Sequence, residues 1–160
     1  MDLLNEGVYD KGILKAVFMA GGPGSGKSFI ANGLFGIPKK IPITSMFGLK
    51  VVNSDTDFEH YLRKFDQSPE DAKKNPNLRA MTKKYTQMRK EGYMNSRLGM
   101  IIDGTARDFS KMAKEKKELE KIGYDCYMVF VNTTLPVAQE RNKKRARRLP
   151  PKLLAQSWNQ

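Results

Sequence analysis

Cysteine, histidine and tryptophan are nearly absent from this chain, which contains one residue of each. The single cysteine, Cys126, allows no disulfide within the chain, and its apolar neighbours predict a core thiol in a reducing, cytoplasmic setting. The single histidine, His60, has no partner at metal-ligand spacing and is predicted to lie at the surface. Long apolar runs are missing too, and the start MDLLNEG lacks the basic residues of a secretory signal. We therefore expect a soluble protein with no membrane partner.

Acidic residues are scarce relative to basic ones. The chain has 17 Asp and Glu against 29 Lys and Arg, which gives a formal net charge of +12. A surface of this charge attracts polyanions such as nucleotides or nucleic acid, although charge alone gives no specificity. The length of 160 residues predicts one domain over residues 1–160, large enough to bury a hydrophobic core.

A glycine-rich stretch, GGPGSGKS at residues 21–28, fits the phosphate-loop pattern G-x-x-x-x-G-K-[ST]. The apolar residues 14–20 before it predict a buried parallel strand, and a helical pattern begins at Lys27. Glycine lets successive backbone N–H groups turn toward an anion, and the helix N-terminus adds a positive partial charge. The predicted nucleotide-binding residues of this stretch are Gly22, Gly24, Ser25, Gly26, Lys27, Ser28 and Phe29.

Two side chains of this stretch have predicted chemical roles. Lys27 is predicted to reach the β- and γ-phosphates of ATP as a catalytic residue, and the Ser28 hydroxyl to hold Mg²⁺. The helix that follows is predicted to turn Phe29, Ile30, Leu34 and Gly33 toward the sheet. The alternative is a glycine-rich turn between strand and helix that binds nothing.

Strand and helix patterns alternate along the rest of the chain. Further strands are predicted at residues 50–53, 98–102 and 124–131, the last one buried. Helices are predicted within residues 56–98, interrupted at Pro69 and Pro76, over residues 109–122, and from Pro136 onward. A short helix carrying Leu154 and Trp158 is predicted to dock on the body. This alternation predicts an α/β fold with a parallel sheet and right-handed crossovers.

Acidic residues follow two of the predicted strands, at the sheet edge where open α/β folds bind ligands. Asp55 is predicted to accept a proton from an attacking hydroxyl, with a helix-capping role for Ser54 and Asp55 as the alternative. Asp103 is predicted either to order the Mg²⁺ shell or to hold the acceptor. Thr105 and Arg107 are candidates for acceptor binding, and Thr105 would equally serve as a helix cap.

A basic segment at about residues 141–150 forms a candidate lid. Arg141 and Arg145 are four residues apart, so on a helix they share a face and would bind the phosphates together. Neutralising charge on the transferred phosphoryl group would make Arg145 catalytic as well. The alternative is a nonspecific basic patch that binds nucleic-acid phosphates.

These motifs, in this order, resemble those of P-loop kinases of the zeta-toxin and polynucleotide-kinase type. The resemblance covers most of residues 14–158 and depends on GGPGSGKS, VVNSD, IIDGTAR and RNKKR. It implies a three-layer, nucleoside-kinase-like P-loop NTPase fold with a mainly parallel sheet of four or five strands in the order 2-3-1-4. The IIDGTAR turn is similar to that of zeta-type kinases, which implies that Asp103 and Thr105 contact a sugar-nucleotide acceptor.

The lid resembles equally that of phage-type 5′-hydroxyl polynucleotide kinases, which implies a phosphate-binding Arg145 and a general base at Asp55. One position departs from that family, because its acceptor-binding arginine, three residues after the base, is replaced here by Phe58. The resulting hypothesis is an ATP- and Mg²⁺-dependent kinase acting on a hydroxyl of a nucleotide-like acceptor. The acceptor is a UDP-sugar or a nucleic-acid 5′-hydroxyl, and the alternative function is a nucleotide- or nucleic-acid-binding module without turnover.

Overall fold

The computed structural model describes residues 10, 12–38, 42–68, 76–104, 108–144 and 148–158. Strands and helices alternate along these residues, as predicted. In chain order they are β1 (Lys15–Ala20), α1 (Lys27–Phe35), β2 (Lys50–Val52), α2 (Ser54–Lys64), α3 (Pro76–Asn95), β3 (Met100–Asp103), α4 (Phe109–Lys121), β4 (Asp125–Phe130), α5 (Leu135–Lys143) and α6 (Pro151–Trp158).

The strands form one parallel sheet of four strands in the order β2-β3-β1-β4, which confirms the predicted fold and strand order. β1 is central and pairs Met19 with Asp103 of β3 and Ala20 with Phe130 of β4. Because the strands are parallel, their carboxyl ends meet at one edge of the sheet. This edge carries the phosphate loop, the start of α2 and Asp103.

Helices cover both faces of the sheet and make three layers. On one face, Val17, Met19 and Ile101 of the strands pack with Ala31 of α1. On the other face, Ala16, Phe18, Val52 and Met100 pack with Leu119 of α4 and with Tyr124. β1 is buried on both sides because helices cover it above and below, as its continuous apolar sequence predicts.

The prediction of which face of α1 packs on the sheet was wrong. Phe29 and Leu34 are 81% and 54% exposed, and a Cβ added at Gly33 would meet no atom within 4 Å. The buried face instead carries Ala31 and, partly, Phe35. The phosphate loop fixes where α1 begins and how it is rotated, so the positions at a spacing of four from Lys27 face the sheet whatever their size.

The prediction that β4 is buried was wrong as well. Tyr127, Met128 and Phe130 are 54%, 52% and 65% exposed, although the strand itself is present. β4 lies at the end of the strand order and pairs, among the described residues, with β1 alone. An apolar run of strand length predicts a strand, but it does not show whether that strand lies at the centre or the edge of the sheet.

The helix boundaries follow their capping residues and prolines. α2 ends at Lys64, and α3 begins at Pro76, in agreement with the interruption predicted there. Pro69, the other predicted interruption, lies outside the described residues. The N-cap of α4 is Asp108, whose side chain accepts a hydrogen bond from the backbone of Lys111, so the capping role considered for Thr105 is filled by another residue. α6 docks through Leu154, which is fully buried.

A buried ion pair fixes α2 against α3 and the sheet. Asp57, 5% exposed, accepts hydrogen bonds from Arg89 and from the Thr86 hydroxyl. Arg89 also donates to the backbone oxygen of Val51 at 3.2 Å. Burial acts against the charged form of Arg89, but the Tyr93 hydrogen bond and Asp57 raise its pKa. This pair therefore sets the position of α2, whose first turn lies at the ligand edge of the sheet.

The single histidine and the single cysteine make their described contacts away from this edge. His60 is exposed, as predicted, and contacts the ring of Tyr61. Cys126 is a half-buried thiol that packs against the α4 side of the core, and burial raises its pKa. Within the described ranges there is no cluster of three or more metal-ligating side chains, and no described helix is long and apolar enough to span a membrane.

Candidate functional site

The loop between β1 and α1 has the geometry of an anion cradle. Lys27 points back into the loop, where its Nζ donates to the backbone oxygen of Gly21 at 2.7 Å and of Gly22 at 3.4 Å. α1 begins after Gly26, which has a φ of 101° and makes no side-chain capping bond. The first N–H groups of a helix have no partner within it, and at the end of a phosphate loop they point to the place where an anion binds.

A buried hydroxyl adds to this cradle. Ser25 is 4% exposed, and among the described residues its Oγ has no hydrogen-bond partner. Leaving a buried polar group unpaired costs about 1–3 kcal/mol, so such a group in a native structure calls for a partner from outside the protein. The unpaired hydroxyl, the uncapped N–H groups and the Lys27 ammonium together fit the phosphates of a nucleotide.

Two C-terminal helices hold this loop from outside. Gly24 has a φ of +83°, and a Cβ there would lie 2.6 Å from the backbone oxygen of Ala138 in α5. From the same helix, Arg141 Nη1 donates to the backbone oxygen of Ser25 at 2.7 Å. Trp158 of α6 lies against Gly22 and donates its Nε1–H to the Thr133 oxygen at 3.1 Å. The shape of the loop therefore depends on residues more than a hundred positions away.

The site also contains a cavity of about 230 Å³ beside α1, at the ends of β2 and β3. Polar groups of the lining come from three elements, with Ser28 on α1, Asn53 and Thr56 at the start of α2, and Asp103 on β3. Apolar side chains, among them Ile37 and Ile101, form the rest of the wall. The structure thus brings Ser28 and Asp103, the two predicted Mg²⁺ ligands, into one cavity, and their oxygen atoms suit a hard cation.

The start of α2 is organised by Asn53. Its Oδ1 caps the helix by accepting from the backbone N–H groups of Asp55, at 2.8 Å, and Thr56, at 3.3 Å. Its Nδ2 donates to Asp103 Oδ2 at 2.8 Å. Asn53 therefore occupies the capping position that was the alternative role of Ser54 and Asp55, and it leaves the Asp55 carboxylate outside the cap.

Asp55 is paired with an arginine from α3. Arg79 Nη2 donates to Asp55 Oδ1 at 2.6 Å, and Arg79 Nη1 donates to the Ser54 backbone oxygen at 3.3 Å. The Asp55 side chain is 60% exposed, and Asp55 is not among the described residues that line the cavity. Its carboxylate lies at the same sheet edge as Asp103, on the side of α2 that faces α3.

Besides Asp55, four predicted site residues are not placed in the cradle or the cavity by these contacts. Phe29 projects from α1 with 81% of its surface exposed. Thr105, Arg107 and Arg145 lie outside the described residues, and α5 ends at Lys143. The prediction that Arg141 and Arg145 share a helical face therefore stays a prediction.

Sequence reasoning missed three side chains of this edge. The cap Asn53 had a signal, since asparagine directly after a strand and before a helical run is a favoured N-cap. The local sequence around Thr56 and Arg79 gave no signal for a place in the site. Residues 65–75 separate α2 from α3, and how these two helices pack on each other cannot be read from either segment alone. The position of Arg79 depends on Phe58, whose ring lies 4.8 Å from the guanidinium carbon.

The parallel sheet, its strand order and the loop between β1 and α1 define a P-loop protein with a kinase-like fold. The family model described as AAA domain, AAA_33, matches residues 17–157, and the chain belongs to that family. No curated protein gives a significant match to the sequence.

Solved structures share this fold at low sequence identity. A protein of Chloroflexus aurantiacus described as a candidate kinase superposes with a TM-score of 0.57 at 15% identity, covering 84% of this chain and 68% of that one. A structure from the PezAT toxin-antitoxin system of Streptococcus pneumoniae gives 0.60 at 16% identity, covering 81% and 51%. A structure of the Pnkp1/Rnl/Hen1 RNA repair complex gives 0.64 at 20% identity, covering 92% and 44%. The chain thus spans about half the length of the last two neighbours, and at these identities the likeness establishes the fold alone.

Proposed function

We propose that this protein is an ATP- and Mg²⁺-dependent kinase that transfers the γ-phosphoryl group to a hydroxyl of a nucleotide-like acceptor. The observation that carries the proposal is that Ser28, the last residue of the phosphate loop, and Asp103, at the end of β3, line the same cavity. An open volume beside a phosphate cradle, with carboxylate and hydroxyl oxygens in its wall, suits a phosphoryl acceptor next to a nucleotide donor.

The donor side depends on the loop. The N–H groups at the start of α1, the Lys27 ammonium and the Ser25 hydroxyl would bind the phosphates of ATP, and Arg141 would keep the loop in shape from outside. Ser28 and Asp103 would hold Mg²⁺, which neutralises charge on the phosphates when bound. Phosphoryl transfer needs mainly positioning and charge neutralisation, and these groups provide both.

The acceptor side depends on Asp55. In the transfer step, an acceptor oxygen forms a bond to the γ-phosphorus while the bond from that phosphorus to the β-phosphate oxygen breaks, and ADP leaves. The proton of the acceptor hydroxyl goes to the Asp55 carboxylate. Thr105 and Arg107 are proposed acceptor contacts and Arg145 a proposed contact of the transferred group. The resemblance of the IIDGTAR turn and of the lid to zeta-type and polynucleotide kinases gives a UDP-sugar and a 5′-hydroxyl oligonucleotide as the acceptors to test. Structural neighbours from a toxin-antitoxin system and an RNA repair complex agree with this choice of families.

The test is transfer of label from γ-labelled ATP in the presence of Mg²⁺. One reaction offers a 5′-hydroxyl oligonucleotide and the other UDP-N-acetylglucosamine, with Lys27→Ala and Asp55→Asn variants run beside the parent protein. We expect label in one acceptor, a loss of at least about a hundredfold in both variants, and unchanged ATP affinity in Asp55→Asn. ATP binding with no label in either acceptor would contradict the kinase assignment for both and favour a binding module.

A further inference from the structure

We propose that Arg79 binds a phosphate group of the acceptor, next to the hydroxyl that Asp55 deprotonates. This inference deepens the proposed function and depends on it for the role of Asp55. It assigns the acceptor class as a hydroxyl compound that carries a phosphate a few bonds from the reacting oxygen.

The guanidinium of Arg79 is held in one orientation by its contacts. Its guanidinium lies 4.8 Å over the ring of Phe58, which is 6% exposed, and donates to Ser54 O and Asp55 Oδ1. Stacking on a buried ring orients the guanidinium plane before any ligand arrives. An arginine held in this way loses little conformational freedom when it binds an anion, so its remaining N–H donors are well prepared for one.

The packing of α2 against α3 does not require Arg79. The contact between α2 and α3 already contains the buried ion pair of Asp57 with Arg89 and the apolar cluster of Phe58, Leu62 and Leu78. By contrast, the side chains of Arg79 and Asp55 are 31% and 60% exposed, and exposed ion pairs contribute about 0–1 kcal/mol to stability. A pair of this kind at the ligand edge of the sheet is better explained by a ligand than by packing.

Phe58 lies three residues after Asp55, the proposed base. The polynucleotide kinases that this sequence resembles have an acceptor-binding arginine three residues after the base, and this chain has the ring of Phe58 at that position. Arg79 reaches the same place from α3 and lies on that ring. The substitution of arginine by Phe58 therefore does not remove the cation from the acceptor side, because α3 supplies it.

The chemistry of the pair limits the acceptor. One nitrogen of Arg79 lies 2.6 Å from the carboxylate, so an anion on an adjacent N–H donor lies within a few ångströms of the same carboxylate. The accepting hydroxyl and the bound phosphate must therefore belong to neighbouring parts of one molecule. A nucleoside 3′-phosphate with a free 5′-hydroxyl and a nucleotide-linked sugar both have this arrangement, and a free nucleoside or free sugar does not.

The experiment compares Arg79→Met with Arg63→Met as a matched control. Arg63 is an exposed arginine at the opposite end of α2, so both variants lose one positive charge from the same region. The acceptors are offered as pairs with and without phosphate, namely a nucleoside 3′-monophosphate against its nucleoside, and UDP-N-acetylglucosamine against N-acetylglucosamine. The readouts are the acceptor KM, the ATP KM and the unfolding midpoint in urea.

We expect Arg79→Met to raise the acceptor KM for the phosphate-bearing compound by about ten- to a hundredfold, as for loss of a charge-assisted hydrogen bond. The ATP KM should change less than about threefold, and Arg63→Met should behave as the parent. The rate with the phosphate-free compound should fall by a smaller factor than the rate with the phosphate-bearing one, because Arg79 also pairs with Asp55. Arg79→Lys should recover part of the loss, since it restores the charge without the planar fork. Equal losses for acceptors with and without phosphate would overturn the inference.

Binding measured without turnover separates this inference from the kinase assignment. The parent and Arg79→Met proteins, saturated with a non-hydrolysable ATP analogue, are titrated with the same phosphate-bearing acceptors. Binding that weakens on substitution, in a parent that transfers no label, would support the inference and contradict the kinase. Equal binding by both proteins, or none by the parent, would overturn the inference whatever the transfer assay shows.

Discussion

Asn53 connects the start of α2 with the end of β3, because its Nδ2 donates to Asp103 Oδ2 at 2.8 Å while its Oδ1 caps α2. One side chain thus fixes both the helix that carries the proposed base and the carboxylate that faces the cavity. If Asp55 and Asp103 act on the same reacting group, their relative position is set by this residue.

The two roles of Asn53 can be separated by substitution. Serine caps helices about as well as asparagine but is too short to reach Asp103, whereas alanine does neither. We expect Asn53→Ala to lower the free energy of unfolding by about 1 kcal/mol more than Asn53→Ser does. Both should lower transfer by a similar factor and raise the Mg²⁺ concentration needed for half-maximal rate. Urea unfolding and Mg²⁺ titrations measure these effects, and parent-like transfer in Asn53→Ser would show that the contact with Asp103 has no part in activity.

Local patterns were sufficient to predict the strands and the phosphate loop. The strand order was predicted from the family resemblance. The stretch at residues 21–28 is informative because an anion cradle requires glycine and lysine at fixed positions, for backbone conformation and charge, and both can be read directly from the sequence. Pro76 could be predicted as a helix boundary for the same reason, since the effect of a proline on the backbone is local, and it is the first residue of α3.

The features that sequence reasoning missed depend on contacts between distant residues. Apolar Phe29 and Leu34 favoured the wrong face of α1, because the loop and not hydrophobicity sets the rotation of that helix. Tyr127 and Met128 favoured a buried β4, because an edge strand and a central strand can have the same sequence. Arg79 could not be assigned to the site, because only the packing of α3 on Phe58 brings it there.

Glycine at position 24 is required by its neighbours as well as by its backbone. Its φ is +83°, and a Cβ would lie 2.6 Å from the Ala138 oxygen, so Gly24→Ala must move either the loop or α5. We expect Gly24→Ala to weaken ATP binding by at least about tenfold and to destabilise the fold by about 1–3 kcal/mol. Calorimetric titration with ATP and urea unfolding measure the two effects.

Gly33 provides the matched control for that variant. It lies within α1, where an added Cβ would meet no atom within 4 Å. Gly33→Ala should therefore raise the free energy of unfolding by about 0.5–1 kcal/mol and leave ATP affinity unchanged. A parent-like ATP affinity in Gly24→Ala would contradict a tight packing of the loop against α5.

Arg141 could act on a bound nucleotide in two ways, by supporting the whole phosphate loop or by contacting the terminal phosphates directly. Its Nη1 donates to the backbone oxygen of Ser25 at 2.7 Å, which supports the loop as a whole, whereas the lid role predicted from sequence acts on the terminal phosphates. Support of the loop should make Arg141→Ala bind ATP and ADP more weakly by the same factor, about ten- to a hundredfold for the loss of a charged hydrogen bond. Competition titrations with both nucleotides decide the matter, because a loss confined to ATP would indicate contact with the γ-phosphate.

The buried pair of Asp57 and Arg89 should be the most sensitive electrostatic contact of the fold. Asp57 is 5% exposed, and its partners Arg89 and Thr86 would keep unpaired polar groups if it were removed. Breaking a buried pair by removing one partner costs about 3–5 kcal/mol, so Asp57→Ala should lose that amount in urea unfolding. The exposed pair of Lys114 and Glu118, 4.0 Å apart on α4, offers a control, and Glu118→Ala should cost less than about 0.5 kcal/mol. Asp57 lies one turn after Asn53, near the N-terminus of α2, so Asp57→Ala should also weaken acceptor binding. A stability loss no greater than that of Glu118→Ala would show that the pair does not position α2.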